Sequence, residues 1–173
     1  MATFSIKVTG IEAIQAKIAE PKFKANVNAA LNAFALSTVS DAKQRAPKDE
    51  GILARSINFD PATDYTVFLN VNVDYAAYVE FGTKKFAAAY VGGLPPDWQT
   101  FAAQFKGKGR GGFKDFVLRL TRWAKRTGKI PVEAAYVTAL KILRDGVKAR
   151  PYLYPAVNKN LPQLAKDLNN AVQ

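Results

Sequence analysis

Residues 65–73, YTVFLNVNV, place Tyr65, Val67, Leu69, Val71 and Val73 at every second position. Successive side chains of a strand point to opposite faces, so this run reads as a strand with one buried face and not as a helix. Such a strand needs paired neighbours and a layer to cover its apolar side. Leu53, Ile57 and Phe59, alternating with Ala54, Ser56 and Asn58 ahead of a turn at DPATD, give one neighbour, and Phe4, Ile6 and Val8 give another. The covering layer is helical. Pro21 resets the backbone after a short stripe of Ile11, Ile14 and Ile18, and a longer helix follows with Val27, Leu31, Phe34 and Thr38 on one side. Pro47 closes that helix, and Leu161, Leu164, Leu168 and Val172 line a final one. The fold class expected is α+β: a small antiparallel sheet packed against a long helix and a C-terminal helix.

Between these elements the pattern changes. DYAAYVEFG, residues 74–82, suits a short helix capped by Asp74 and ended by Gly82 in a left-handed conformation. Residues 84–112 are rich in glycine, proline and lysine and read as loop with at most one helical turn. Phe113, Phe116, Val117, Leu120 and Ala124 then share a helical face opposite Lys114, Arg122, Lys125 and Arg126. Pro131 and Gly146 bracket a further helix with Ala135, Tyr136, Ala139, Leu140 and Leu143 as its stripe. Pro151 and Pro155 in ARPYLYPAV, residues 149–157, predict an extended segment at a sheet edge. The division expected is a core of residues 1–83 and 149–173 with residues 84–148 inserted as a loop and helical pair.

Composition narrows the chemistry. The 173 residues contain neither cysteine nor histidine, which removes disulfides, thiolate nucleophiles, the usual near-neutral base and the commonest transition-metal ligand. The only adjacent acids, Asp49 and Glu50, sit in a turn-like stretch where a solvated loop explains them better than a catalytic dyad. GKGRGGFK and RTGKIP do not match the phosphate-loop pattern. No run approaches the roughly 20 apolar residues that span a bilayer, so no membrane partner is expected. The net charge of +11 suits DNA or an acidic protein neighbour equally.

Three motifs in order, AKQRAPKDEGILARSI, YAAYVEFGT and RPYLYPAV, resemble the HK97-type tail-completion or neck family of long-tailed phages. In that family a helix ending in AP-x-x-x-G-x-L-x-x-S-I precedes a strand pair, a Y-A-x-x-x-E-x-G-T element and a late RP-aromatic-x-x-PA element. The likeness covers roughly residues 1–83 and 149–173. Two features depart from it: the insertion is long, and Glu50 stands where a threonine commonly precedes the glycine. The resemblance implies a virion structural protein without enzymatic activity or cofactor, forming a homo-oligomeric ring around the DNA channel at the head–tail junction. Six subunits are preferred and twelve are the alternative, with connector and tail-tube proteins as neighbours. Virion, and host cytoplasm during assembly, are the implied locations. An independent basic nucleic-acid-binding module is the alternative function, and a carboxylate-dependent enzyme a more distant one.

Site residues follow from both readings. Glu80, set among Tyr75, Tyr78, Val79 and Phe81, is expected to be a framework anion paired with Arg55 or Arg150. Lys106, Lys108 and Arg110, spaced by glycines, are candidates for docking on an acidic neighbour or for phosphate contacts in the DNA channel, with a solvated loop as the remaining account.

Overall fold

The computed structural model describes residues 2–7, 21–105 and 112–172. The expected stripe of Ile11, Ile14 and Ile18, the end of the first strand at Val8, and the loop carrying Lys106, Lys108 and Arg110 lie outside these residues. The chain divides into two compact units, residues 1–76 with 150–173, and residues 77–149.

The first unit is α+β. Strands β1 (Ala2–Lys7), β2 (Ile57–Thr63) and β3 (Thr66–Val71) form an antiparallel sheet in the order β1-β3-β2. Val67, Leu69 and Val71 are buried while Phe68 is exposed, so the alternation that marks β3 in the sequence is the alternation of its faces. Register places Phe4 opposite Leu69 and Ile6 opposite Val67.

Helix α1 (Pro21–Arg45) covers the sheet. Phe23, Val27, Ala30, Leu31, Phe34, Ala35, Thr38, Val39 and Ala42 are all buried, at the three- and four-residue steps of one helical face. Its other neighbour is the C-terminal helix of the chain (Leu153–Val172), which buries Leu153, Ala156, Val157 and Leu164. The alanines of α1 let the two backbones approach, and the polar end of the contact is closed by Asp41. Its carboxylate accepts from Lys159 Nζ at 2.8 Å and from Asn160 Nδ2 at 2.9 Å.

Three expectations need correction in this unit. Leu53 lies in a short helix, α2 (Ile52–Ser56), not in a strand; Gly51, at φ 71°, and a Ser56 hydroxyl donating to the Leu53 carbonyl hold that turn. The hairpin turn is at Asp64 and Tyr65, both with positive φ, as a two-residue hairpin requires, so Tyr65 is a turn residue and Pro61 is inside β2. Pro61 is tolerated there because the ladder slips between Asp60 and Thr63, and a bulge needs no donor from it. Donors freed nearby are met from α1: Asn32 Oδ1 accepts from the Ala62 N–H at 2.7 Å and Asn28 Oδ1 from the Tyr65 N–H at 3.2 Å.

The segment 149–157 is also not extended throughout. The final helix begins at Leu153, which puts Pro155 in its first turn, where a backbone N–H has no intrahelical acceptor to lose. Pro162 does fall inside the helix and removes one bond there.

The second unit is helical. It contains most of α3 (Ala76–Phe81), then α4 (Lys84–Val91), α5 (Pro96–Ala103), α6 (Phe113–Thr127), a 3₁₀ turn (Val132–Ala134) and α7 (Ala135–Asp145), leaving α8 as the C-terminal helix of the first unit. Two helices thus replace the loop expected over residues 84–105. Alanines 87–89 favour α4, and Pro96 at the first helical position starts α5. Trp98, Phe101 and Phe105 gather with Phe81 of α3, ring centroids 5.2–6.4 Å apart, and Trp98 and Phe81 are buried. Helix α3 starts two residues after Asp74, with the Ala76 N–H donating to the Val73 carbonyl, so Asp74 lies in the preceding turn and not at the cap. Gly82 ends α3 at φ 73° as expected.

Candidate functional site

The EFGT element acquires its geometry from the far end of the second unit. Gly82 and Thr83 leave α3 beside Gly146 and Val147, which leave α7. The Thr83 N–H donates to the Val147 carbonyl at 2.9 Å, and the Val147 N–H donates to Thr83 Oγ1 at 2.8 Å. Both glycines have positive φ, and a β-carbon on Gly82 would lie 2.8 Å from the Val147 oxygen. The two strands of chain therefore cross with no room for a side chain, and the glycine and threonine of the motif serve that crossing.

Beside the clasp sits Asp145, which takes both a two-pronged contact from Arg144 (3.0 and 3.2 Å) and a 3.0 Å contact from Lys85. The Arg144 guanidinium and the Lys85 ammonium hold its pKa down to about 2. Lys84 Nζ donates to the Leu143 carbonyl, capping the end of α7.

Glu80 is 2% exposed, whereas Arg55 and Arg150 are exposed and belong to the first unit. No cluster of three or more metal-ligating side chains occurs among the described residues.

Two surfaces of the second unit stand out. Helix α7 buries Ala135 and Ala139 but leaves Tyr136, Val137, Leu140 and Leu143 exposed, by 45–68%. A shallow groove on this side is lined by Val137, Leu140, Lys141 and Arg144. Of the apolar stripe expected on this helix, Ala135 and Ala139 are buried and Tyr136, Leu140 and Leu143 face outward, because small residues suffice where α7 lies against α6. Helix α6 shows the reverse. Its apolar face is wholly or partly buried, with Ala124 at 2%, and its outer face presents Lys114, Arg119, Arg122, Lys125 and Arg126. The unit as a whole, residues 77–149, holds 14 of the 25 Lys and Arg residues but only five of the 14 acids, hence +9 of the net +11.

Comparison with known proteins agrees with the first two motifs. Residues 11–82 match the HK97-gp10-like family, described as "Bacteriophage HK97-gp10, putative tail-component". The matched stretch runs through α1, the β2–β3 hairpin and α3, and stops at Gly82, just past the end of α3. No curated protein and no solved structure matches the chain. Among the described residues no helix is long and apolar enough to cross a membrane.

Proposed function

We propose that the chain is a non-enzymatic structural protein of a phage virion, a tail-related component that forms a ring at the head–tail junction and joins the tail to the connector around the DNA channel. The family match over residues 11–82 supports the class. The observation that carries assembly is the exposed face of α7: four large apolar side chains on one short helix, which a protein working alone would be expected to cover. Its basic rim, Lys141 and Arg144, differs in sign from the surroundings of the exposed Tyr75 on the first unit, where Glu50 and Asp49 lie close enough to act on its hydroxyl. Unlike surfaces that fit one another between copies give a head-to-tail interface, and such an interface closes into a ring when its rotation permits.

Six copies are the preferred number and twelve the alternative, with connector and tail-tube proteins on either side, in host cytoplasm during assembly and in the virion afterwards. Glu80 is assigned the framework role, paired with Arg55 or Arg150, since a buried carboxylate requires a compensating partner. Lys106, Lys108 and Arg110 remain candidates for docking or for DNA contact. Native mass measurement tests the ring: an assembled mass several times 18.9 kDa is expected, and Val137→Asp with Leu140→Asp should reduce it to that of the single chain. A stable monomer in mature particles would overturn the reading.

A further inference from the structure

The excess charge of the second unit has an address. On α6 the side chains of Arg119, Arg122, Lys125 and Arg126 occupy successive turns of the outer face, with Lys114 one turn before them, and all five are exposed. Helical neighbours three or four residues apart meet on the surface. For Arg122 the charged residues at those distances are Arg119, Lys125 and Arg126, all cationic; the one acid of the helix, Asp115, can serve only its first turns. Like charges so placed each destabilise a helix by a few tenths of a kcal/mol. A face kept merely for solubility is better made of both signs, interspersed.

An acidic protein and a nucleic acid both answer such a row, and the rest of the face separates them. Protein interfaces are anchored by apolar and aromatic side chains that lose their water. The outer face of α6 offers Leu118 alone, while the exposed apolar residues of this unit gather on α7. Phosphate contacts need no such anchor. They are made by Arg and Lys at a wet surface, and their free energy comes from released counterions. The row from Lys114 to Arg126 spans about 18 Å at 1.5 Å per residue, long enough to follow several phosphates of one duplex.

We propose that the outer face of α6 is a binding site for the phosphate backbone of duplex DNA, engaged without sequence selection through Arg119, Arg122 and Lys125, with Lys114 and Arg126 at its edges. The inference rests on the proposed place beside the DNA channel only for the source of the DNA. Contacts of this kind are individually weak and exchange quickly, so they guide a moving duplex without arresting it.

The test uses the full chain and a 30-base-pair duplex of arbitrary sequence, with binding followed by fluorescence anisotropy between 50 and 200 mM salt. Five phosphate contacts give a slope of log affinity against log salt of about −4 to −5. The variant R119Q/R122Q/K125Q should reduce that slope by about 3 and weaken binding at least tenfold at 100 mM salt. A second variant, K22Q/K43Q/K166Q, removes the same charge from exposed positions of the first unit and should leave the slope unchanged. Equal losses in the two variants, no loss in the first, or no binding by the unaltered chain at 50 mM salt would each overturn the site. So would polyglutamate that binds as tightly as the duplex, which would favour an acidic protein. Assembled mass is measured on the same samples, so that the ring is judged by mass and this site by the salt slope.

Discussion

Gly146 passes so close to Thr83 that a β-carbon on the glycine would lie 2.2 Å from the Thr83 carbonyl oxygen. That atom is backbone and cannot swing aside, and φ at Gly146 is 88°, a region closed to ordinary side chains. Gly146→Ala should therefore destabilise residues 77–149 by about 3 kcal/mol or more, through strain and clash together. Thr83→Val keeps the shape, removes the acceptor of the Val147 N–H and should cost only about 1 kcal/mol. Urea titration of both variants, followed by Trp98 and Trp123 fluorescence, gives the comparison; similar costs would show that the crossing is looser than described.

Asn28 and Asn32 stand in for ladder partners that the bulged hairpin lacks. Asn32→Ala would leave the Ala62 N–H without its acceptor and should destabilise the first unit by about 1–2 kcal/mol. The Asn28 contact is longer, at 3.2 Å, and Asn28→Ala should cost less. Hydrogen exchange at Ala62 and Tyr65, faster in the respective variants and unchanged elsewhere, is the residue-level check.

Thr38 is fully buried on α1, and its hydroxyl has no hydrogen-bond partner among the described residues. Valine has nearly the same shape without the polar atom, so Thr38→Val should raise stability by about 1 kcal/mol. For a unit of this size that corresponds to a rise in melting temperature of roughly 4–8 °C. A fall in melting temperature would mean that the hydroxyl is satisfied.

Asp41 and Asp145 contribute to the acid limb of stability. Hydrogen bonds from Lys159 and then Asn160 depress the pKa of Asp41, and those from Arg144 and Lys85 hold Asp145 at about 2. A carboxylate whose folded pKa lies below its unfolded value, near 3.9, binds more protons when unfolded. The stability it adds is present above about pH 4 and is lost as pH falls through the folded value. Carboxyl NMR titration should place Asp145 at about 2, and Lys85→Gln with Arg144→Gln should return it toward 3.9. Salt should weaken the effect, since these groups are reached by solvent.

Trp98 anchors the aromatic cluster of the second unit, and Trp98→Ala should cost about 3–5 kcal/mol there. Loss of helix confined to that unit is the expected change in circular dichroism, with the sheet of residues 57–71 retained.

What the sequence revealed depended on how local the cause was. The alternation of residues 67–71 and the one-sided stripe of α1 are properties of single elements, and both were legible. So was Gly82, because a glycine after a short apolar helix has few other uses. DPATD looked like the hairpin turn since Pro61 carries a strong turn signal, yet a bulge absorbs a proline equally well; the choice was made by α1 asparagines some 30 residues away. Trp98, Phe101 and Phe105 fall at helical spacing, a sign that the surrounding glycines and prolines obscured. The outward face of α7 was unreadable from periodicity alone, which reports an apolar stripe but not what lies against it. The basic side of α6 was visible as a pattern, but its continuity on one exposed surface required the fold.

Thr83 and Val147 close a long loop at its root. The chain departs at one and returns at the other, and their backbones are already hydrogen-bonded neighbours. The entropy of closing a loop grows only slowly with its length, and here a bonded pair fastens both ends. A tight turn of two or so residues would bridge the same gap. The stretch from Lys84 to Gly146 is therefore held shut at its root, so the length of chain between the two joints can change at little entropic cost to the bonded pair itself.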